Sequence, residues 1–237
     1  MDLIVNDLLR GRTRDLGSPG ADDPMDRPWT TGIFKTPASG DIFLSTTGLA
    51  NDQVGDTVNH GGPEKALFPY PASHYEYWRQ AAGLTEITIG GMGENLSIIN
   101  ATENEICIGD IYQFCSAVVQ VSQPRQPCWR PARRFRVKDL ALQIQQTGRT
   151  GWYFRVLQEG SVRGNSTMAL LERPEPNWTI ARCNDIMHHD KDNLEASAAL
   201  AAVPTLSLNW KATLQKRLAG KQSHLEPRVF GPNDAEL

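Results

Sequence analysis

The chain has 237 residues, which suits one medium-sized domain with a small additional one and allows a substantial buried core. Its net charge of -3 excludes a protein whose whole surface attracts nucleic acids or membranes, so any anion must bind at local basic clusters. No apolar run reaches membrane-spanning length, no signal peptide is visible, and the four cysteines form no CxxC pair. We therefore expect a reduced, soluble, cytoplasmic protein without a membrane partner.

The first three quarters of the chain carry short β-strand patterns separated by turns rich in glycine. Strands are predicted at 31–34, 42–45, 87–89, 96–99, 106–108, 111–114, 118–121, 152–157 and 168–172, and helices at 73–82 and 137–147. Ser73 and Glu76 have the spacing of a capping box at the start of the first helix. Gly109 and Asp110 have the composition of a two-residue hairpin turn. Several short strands at close spacing indicate a mainly β fold, a barrel or a sandwich.

The pattern changes to helix after residues 173–176, Arg-Pro-Glu-Pro, which we interpret as a domain boundary. Three short helices are predicted, near 179–188, 192–202 and 205–219. In the last of them, Trp210, Leu214 and Leu218 lie one turn apart on one face. The predicted organisation is a β-rich domain over 1–173, a three-helix domain over 177–222 and a loose tail over 223–237.

The stretch 121–130, VSQPRQPCWR, has the composition of a stiff loop that follows a strand. Pro124 and Pro127 fix their own φ angles and favour extended geometry in the residues before them. Cys128 follows directly, Arg125 precedes it, and further basic residues come after it. Positive charge favours the thiolate, which is the form of cysteine that attacks or binds metal. The alternative is that Cys128 is a small buried apolar residue, as most free cysteines are.

A second compact loop, at residues 60–65, carries two charged or titratable side chains around a glycine pair. Gly61 and Gly62 let the backbone approach a ligand closely, and His60 and Lys65 flank them. A phosphate-binding P-loop is excluded because GxxxxGK[ST] is absent. The alternative is a tight turn in which the two polar side chains are merely exposed.

The chain resembles the MOSC family in the order and spacing of five motifs. These are 60–67 (HGGPEKAL), 93–96 (GENL), 109–110 (GD), 121–128 (VSQPRQPC) and 147–152 (TGRTGW). The resemblance covers roughly residues 30–172. Residues 178–220 are similar to the small three-helix domain that follows MOSC in the YiiM branch, which is associated with resistance to 6-N-hydroxylaminopurine. The resemblance implies a MOSC-type β-barrel with peripheral helices plus a small C-terminal three-helix domain.

The resemblance also implies an activity and a cofactor. It implies that the molybdenum cofactor binds with its metal on Cys128, and that the enzyme reduces N-hydroxylated compounds, including base analogues, to amines or amidines. Because nothing in the chain can hold flavin or iron–sulfur, electrons are expected from a separate redox protein, and pyridoxal phosphate is not required. The residues expected in catalysis are Cys128, His60 as proton donor, and Arg125. The residues expected to bind the cofactor are Lys65, Arg125, Gly61, Gly62, Asn95, Gln123 and Cys128.

Two other functions remain open from the sequence. The first is a non-catalytic carrier that holds sulfur or cofactor on Cys128 for delivery to another protein. The second is a nucleic-acid-binding module that uses the basic run 125–138 and the last helix. The negative net charge and the absence of interleaved aromatic residues argue against stable nucleic-acid binding. A homodimer is compatible with the sequence.

Overall fold

The computed structural model describes residues 1–221 and 226–234. Its strands are β1 Leu3–Arg10, β2 Arg14–Leu16, β3 Trp29–Thr31, β4 Thr36–Pro37, β5 Ile42–Ser45, β6 Gly48–Leu49, β7 Pro69–Pro71, β8 Leu96–Ile98, β9 Ile111–Phe114, β10 Ala117–Pro124, β11 Trp152–Gln158, β12 Gly160–Val162 and β13 Ser166–Glu172. Its helices are α1 His74–Ala81, α2 Trp129–Phe135, α3 Leu140–Thr147, α4 Ile180–His188, α5 Leu194–Ala201, α6 Leu208–Leu218 and α7 Glu226–Val229. Within the described ranges, no helix combines the length and the apolar content needed to cross a membrane.

The main sheet curves into a nearly closed barrel. Its strand order is β11-β10-β9-β13-β1-β8-β7, and β4 pairs with the end of β1. The pairs are antiparallel except for β7 with β8, which are parallel because helix α1 and the chain after it cross over between them. Backbone hydrogen bonds between Leu67 and Phe154, of 2.9 and 3.3 Å, link the segment before β7 to β11 and bring the two ends of the sheet together. The predicted mainly β barrel with peripheral helices is confirmed.

One hydrophobic core extends from the barrel into the C-terminal helices. The buried side chains of Ile180, Trp210 and Leu214 belong to the same cluster as Leu3 and Phe154 of the barrel. The boundary predicted at 173–176 therefore separates β structure from helical structure, but it does not separate two hydrophobic cores. The helices pack directly on the outside of the barrel.

The described part of the C-terminal tail is packed, although the sequence composition predicted a loose segment over 223–237. Val229 is fully buried, and Asn233 accepts a hydrogen bond of 2.7 Å from Arg133 and donates one of 3.0 Å to the Trp129 carbonyl. Polar composition did not reveal this packing because its partners lie about a hundred residues earlier in the chain. Residues 222–225 and 235–237 of the predicted tail lie outside the described residues.

Strand and helix positions largely agree with the sequence patterns, whereas several turns differ. The hairpin turn lies at Cys115 and Ser116, between the paired residues Phe114 and Ala117, and not at the predicted Gly109 and Asp110. Asp110 instead accepts from the Cys107 backbone N–H and pairs with Arg173. The predicted strands at 87–89 and 106–108 contain no strand residues apart from one isolated bridge at Cys107, and of the predicted strand at 31–34 only Thr31 lies in a strand. The position of the hairpin turn and the extent of these strands depend on long-range hydrogen bonds, which local composition does not predict.

Two local predictions about helices are wrong in detail. Ser73 precedes α1 in a helical conformation and makes no side-chain capping bond, so the capping box does not form. Leu218 is 37% exposed, while Trp210 and Leu214 of the same stripe are fully buried. Helix α3 ends at Gly148, which has φ 68°, a left-handed conformation that favours glycine at a helix C-terminus.

Candidate functional site

Cys128 lies at the end of a short loop between barrel strand β10 and helix α2. Strand β10 ends at Pro124, and α2 begins at Trp129, so Cys128 occupies the N-cap position with extended backbone geometry. The Arg125 backbone N–H donates to the Gly151 carbonyl at 3.1 Å, and Arg228 of α7 donates to the Pro127 carbonyl. These bonds and the two prolines fix the loop from both sides. Cys128 is buried, with 5% of the residue exposed.

The surroundings of Cys128 favour its thiolate. Burial alone raises a thiol pKa, because the charged form loses hydration. Here the charge of His60 and its hydrogen bond, the charge of Arg125 and the Arg130 backbone N–H outweigh that effect and lower the pKa of Cys128 to about 5. At neutral pH the site therefore presents a negatively charged sulfur.

Two adjoining cavities meet at Cys128. We call them the first cavity, which extends under the loop 47–56, and the second cavity, which extends toward α6 and α7. Both are lined by Asp56, His60, Lys65, Cys128, Arg130 and Tyr153. Only the first is lined by Lys35, Asn95 and Arg125. Only the second is lined by Gln123, Gln126, Asn209 and Arg228. A ligand atom bound to the sulfur would be accessible from either side.

Arg125 is the buried cation of the first cavity. Its guanidinium lies 4.8 Å from the centre of the Phe68 ring, and its positive charge offsets part of the rise that burial causes in the pKa of Tyr153. The side chain is 4% exposed, and its Nη1 atom has no hydrogen-bond partner among the described residues. A buried, charged donor without a partner is costly, and an anionic ligand would satisfy it. The sequence predicted Arg125 as an anion-binding residue, and the structure places it beside Cys128.

Asn95 shapes the first cavity through bonds within the protein. Its Oδ1 accepts from the Phe68 N–H at 3.1 Å, and its Nδ2 donates to Asp52 at 2.9 Å and to the Leu9 carbonyl at 3.2 Å. Asp52 in turn pairs with the buried Lys35, and burial lowers the pKa of that lysine. Because its polar atoms are already paired, Asn95 positions Asp52 and the loop after β6, rather than offering a free group to a ligand.

The loop at 60–65 supplies two of the predicted groups to both cavities. His60 Nδ1 lies 3.4 Å from the Tyr153 hydroxyl oxygen. Lys65 donates to the Asn59 carbonyl at 2.7 Å, and burial lowers the pKa of Lys65. Among the described lining residues of the two cavities, Gly61 and Gly62 are not present. Gly62 has φ 96°, so the glycine pair forms the turn that brings His60 and Lys65 to the site.

Gln123 does not line the first cavity with Arg125, Asn95 and Lys65, which are also predicted to bind the cofactor. It lines the second cavity and not the first. Its side chain is 1% exposed, its Nε2 donates to the Pro124 carbonyl at 3.3 Å, and its Oε1 has no partner among the described residues. One residue that lines the second cavity therefore has a buried hydrogen-bond acceptor without a partner among the described residues.

Sequence analysis did not find several residues of the site. Lys35 and Asp52 line the first cavity, Arg228 lines the second, and Arg130 and Tyr153 line both. Arg130 pairs with Asp56 at 3.3 Å, although its Nε atom has no partner among the described residues. No motif links these positions, because they come from different strands and helices. The one available signal was the basic run after Cys128, which includes Arg130.

The donor set of the first cavity fits an anionic cofactor that carries a thiol-binding metal. Cys128 offers a thiolate, which is a soft ligand suited to such metals. The unpaired Nη1 of Arg125 and the charge of Lys65 offer sites for a phosphate or another anion. This arrangement explains how a protein of net charge -3 can bind an anion at one place.

Comparisons with known proteins identify two family models in the chain. The model described as the MOSC domain matches residues 56–168, and that described as the YiiM-like, 3-alpha helix domain matches residues 178–221. The uncharacterised protein YflK of Bacillus subtilis is 41% identical over 86% of this chain and 91% of its own length. The protein YiiM of Escherichia coli is 34% identical over 84% of this chain and 90% of its own length.

A longer fungal protein and a crystal structure extend these similarities. A protein of Gibberella moniliformis named reductase is 34% identical over 76% of this chain, which spans 32% of that protein. The crystal structure of YiiM from Escherichia coli has a TM-score of 0.76 and 29% identity, and the similarity covers 98% of this chain and 100% of that one. This chain belongs to the MOSC domain family and carries the YiiM-like three-helix domain after it.

Proposed function

We propose that this protein binds the molybdenum cofactor through Cys128 and reduces N-hydroxylated compounds such as 6-N-hydroxylaminopurine. The observation that carries the proposal is the thiolate of Cys128, with a pKa of about 5, placed where two cavities meet and beside the unpaired guanidinium of Arg125. MOSC domains are associated in general with binding of this cofactor. The name of the fungal relative supports reductase chemistry.

In this proposal the first cavity holds the cofactor. Cys128 would bind the metal, Arg125 would bind an anionic oxygen through its unpaired Nη1, and Lys65 would add positive charge. When bound, the cofactor supplies the two-electron chemistry that cleaves an N–O bond. The protein contributes binding, orientation and protons.

The reaction requires protons as well as electrons. Reduction of a hydroxylamine, R–NHOH, consumes two electrons and two protons and gives R–NH2 and water. His60 borders both cavities beside Cys128, and the Tyr153 hydroxyl lies 3.4 Å from its Nδ1 atom. We assign to His60 the delivery of a proton to the departing hydroxyl oxygen, with Tyr153 orienting the imidazole.

Electrons come from a separate redox protein in this proposal, and the reaction takes place in the cytoplasm. Cys128 and its surroundings provide a metal ligand but no second redox group. The fungal reductase is about three times as long as the part that resembles this chain, which is 32% of it. Purified protein should therefore need an added electron donor for turnover.

The proposal is tested with protein purified from a host that makes the cofactor. The wild type should contain molybdenum and reduce 6-N-hydroxylaminopurine to adenine with a chemical or protein donor. Cys128→Ser should lose both properties, and Cys115→Ser, which changes an exposed cysteine, should keep both. Molybdenum retained without any turnover would favour the carrier function, and wild-type behaviour of Cys128→Ser would overturn the metal assignment.

A further inference from the structure

The second cavity adjoins the proposed cofactor site, and the residues that line it but not the first cavity include two groups from distant parts of the chain. Its inner wall contains Gln123 at the end of β10 and Gln126 in the Cys128 loop. Its outer wall contains Asn209 of α6 and Arg228 of α7. Because the second cavity is lined by Cys128 but not by Arg125, a molecule in it would lie next to a metal on the sulfur and away from the proposed anion-binding guanidinium.

Gln123 gives this cavity a defined hydrogen-bonding preference. The amide is buried, and the bond from its Nε2 to the Pro124 carbonyl fixes which end carries the oxygen. Its Oε1 has no partner among the described residues. A buried acceptor without a partner costs stability, and a ligand with an N–H or O–H donor would pair with it.

The charges around the second cavity favour neutral or anionic ligands. Arg228 is held in place by its bonds to the Pro127 carbonyl and to Gln145 Oε1 at 2.7 Å. Lys65 and Arg130 line the same space, and Asp56 is the acidic residue among its described lining residues. Cationic ligands would be repelled by this excess of positive charge.

We propose that the second cavity binds the substrate, and that Gln123 Oε1 accepts a hydrogen bond from the N–H or O–H of its N-hydroxylated group. The C-terminal helices form the outer wall of this site through Asn209 and Arg228. The substrate class is thus a neutral N-hydroxylated amine, with its hydroxylamino end toward Cys128. This inference rests on the proposed reductase function. It assigns Gln123 to substrate binding, whereas the sequence analysis assigned it to cofactor binding.

Two variants test the inner and outer walls. Gln123→Met keeps the size of the side chain and removes the acceptor, so the KM for 6-N-hydroxylaminopurine should rise about three- to tenfold with molybdenum content unchanged. Gln113→Met, on the neighbouring strand and away from both cavities, is the matched control. Asn209→Trp should narrow the cavity and raise KM further, whereas Gln215→Trp on the exposed face of the same helix should not.

A binding measurement separates this inference from the proposed function. Equilibrium dialysis of adenine, the product with N–H donors, should show weaker binding to Gln123→Met than to the wild type by a similar factor. If the wild type binds molybdenum and turns over while both variants keep its KM and adenine affinity, the substrate site is elsewhere and the reductase function stands. If the wild type lacks molybdenum and turnover, the function fails. In that case equilibrium dialysis still tests the substrate site. If adenine does not bind, or binds equally well to the wild type and to Gln123→Met, the proposed substrate site is wrong.

Discussion

Cys128 and Cys183 are both buried, yet their surroundings act on the thiol in opposite ways. Cys183 lies on α4 inside the hydrophobic cluster shared by barrel and helices, and burial raises its pKa. Cys128 is also buried, but His60, Arg125 and the Arg130 backbone N–H lower its pKa to about 5. Burial therefore does not decide whether a cysteine is structural. The charged groups and N–H donors around the sulfur decide it.

The largest difference between the two cysteines should appear in turnover. Cys128→Ser should abolish reduction of 6-N-hydroxylaminopurine, because oxygen is a poorer ligand for a thiol-binding metal. Cys183→Ser should retain turnover in the protein that folds, although placing a hydroxyl in an apolar cluster lowers stability. Steady-state rates per folded molecule, with folding checked by circular dichroism, make the comparison. Equal losses in both variants would contradict it.

The second expected effect concerns His60, which lines both cavities beside Cys128. His60→Gln should lower kcat about a hundredfold in metal-replete protein, because it removes a general acid. The measurement is a single-turnover rate beside the molybdenum content of the same sample. Normal single-turnover chemistry would remove His60 from the mechanism.

Arg125→Gln tests the buried cation beside the thiolate. This change keeps hydrogen-bonding capacity but removes the charge that would pair with the cofactor. Cofactor retention should fall about tenfold or more, as expected for loss of a buried charge-assisted bond. Cofactor retention is measured as the molybdenum content that remains after prolonged dialysis. Arg155→Gln, at a position that lines neither cavity among the described residues, serves as control and should retain the metal.

The difference in pKa between Cys128 and Cys183 can be tested by alkylating the cofactor-free protein. Because the pKa of Cys128 is about 5, its thiolate fraction rises as pH increases through 5 and is complete near neutrality. The rate at which iodoacetamide alkylates Cys128 should therefore be level between pH 7 and pH 9, whereas the rate for an ordinary thiol keeps rising over that range. Cys183 should react only after unfolding. A Cys128 rate that keeps rising up to pH 9 would show that its pKa is not lowered.

The smallest expected effect concerns Lys65. Lys65→Ala should weaken cofactor retention only about threefold, because this ammonium is half-buried and already donates to the Asn59 carbonyl. Molybdenum content as a function of salt concentration measures it. A loss as large as that of Arg125→Gln would mean that Lys65, and not Arg125, is the main anion-binding residue.

The sequence predicted those parts of the fold that depend on local pattern. Alternation and turn composition placed strands at 42–45 and 111–114 with the bounds that the structure shows. The prolines around Arg125 identified the Cys128 loop, because proline restricts geometry locally. The predicted strand at 106–108 failed because its pairing depends on a distant residue, Thr179, and amounts to one bridge.

The candidate site was predicted only in part for the same reason. Cys128, Arg125, His60 and Lys65 occur in compact motifs, and the structure brings them together. Lys35 and Asp52 form their buried pair across seventeen positions with no motif. Arg228 reaches the Cys128 loop from about a hundred positions later, in a segment whose polar composition suggested a loose tail. Contacts of this length depend on the packed fold, and local pattern does not specify them.

The central claim, that the sulfur of Cys128 binds the metal, is tested most directly by replacing Cys128 with selenocysteine. X-ray absorption at the molybdenum edge of the loaded protein then reports whether selenium is a neighbour of the metal. The account predicts a selenium atom at bonding distance from molybdenum in this protein and none when Cys115 is replaced instead. If the Cys128 replacement contains molybdenum but its spectrum shows no selenium neighbour, Cys128 does not bind the metal.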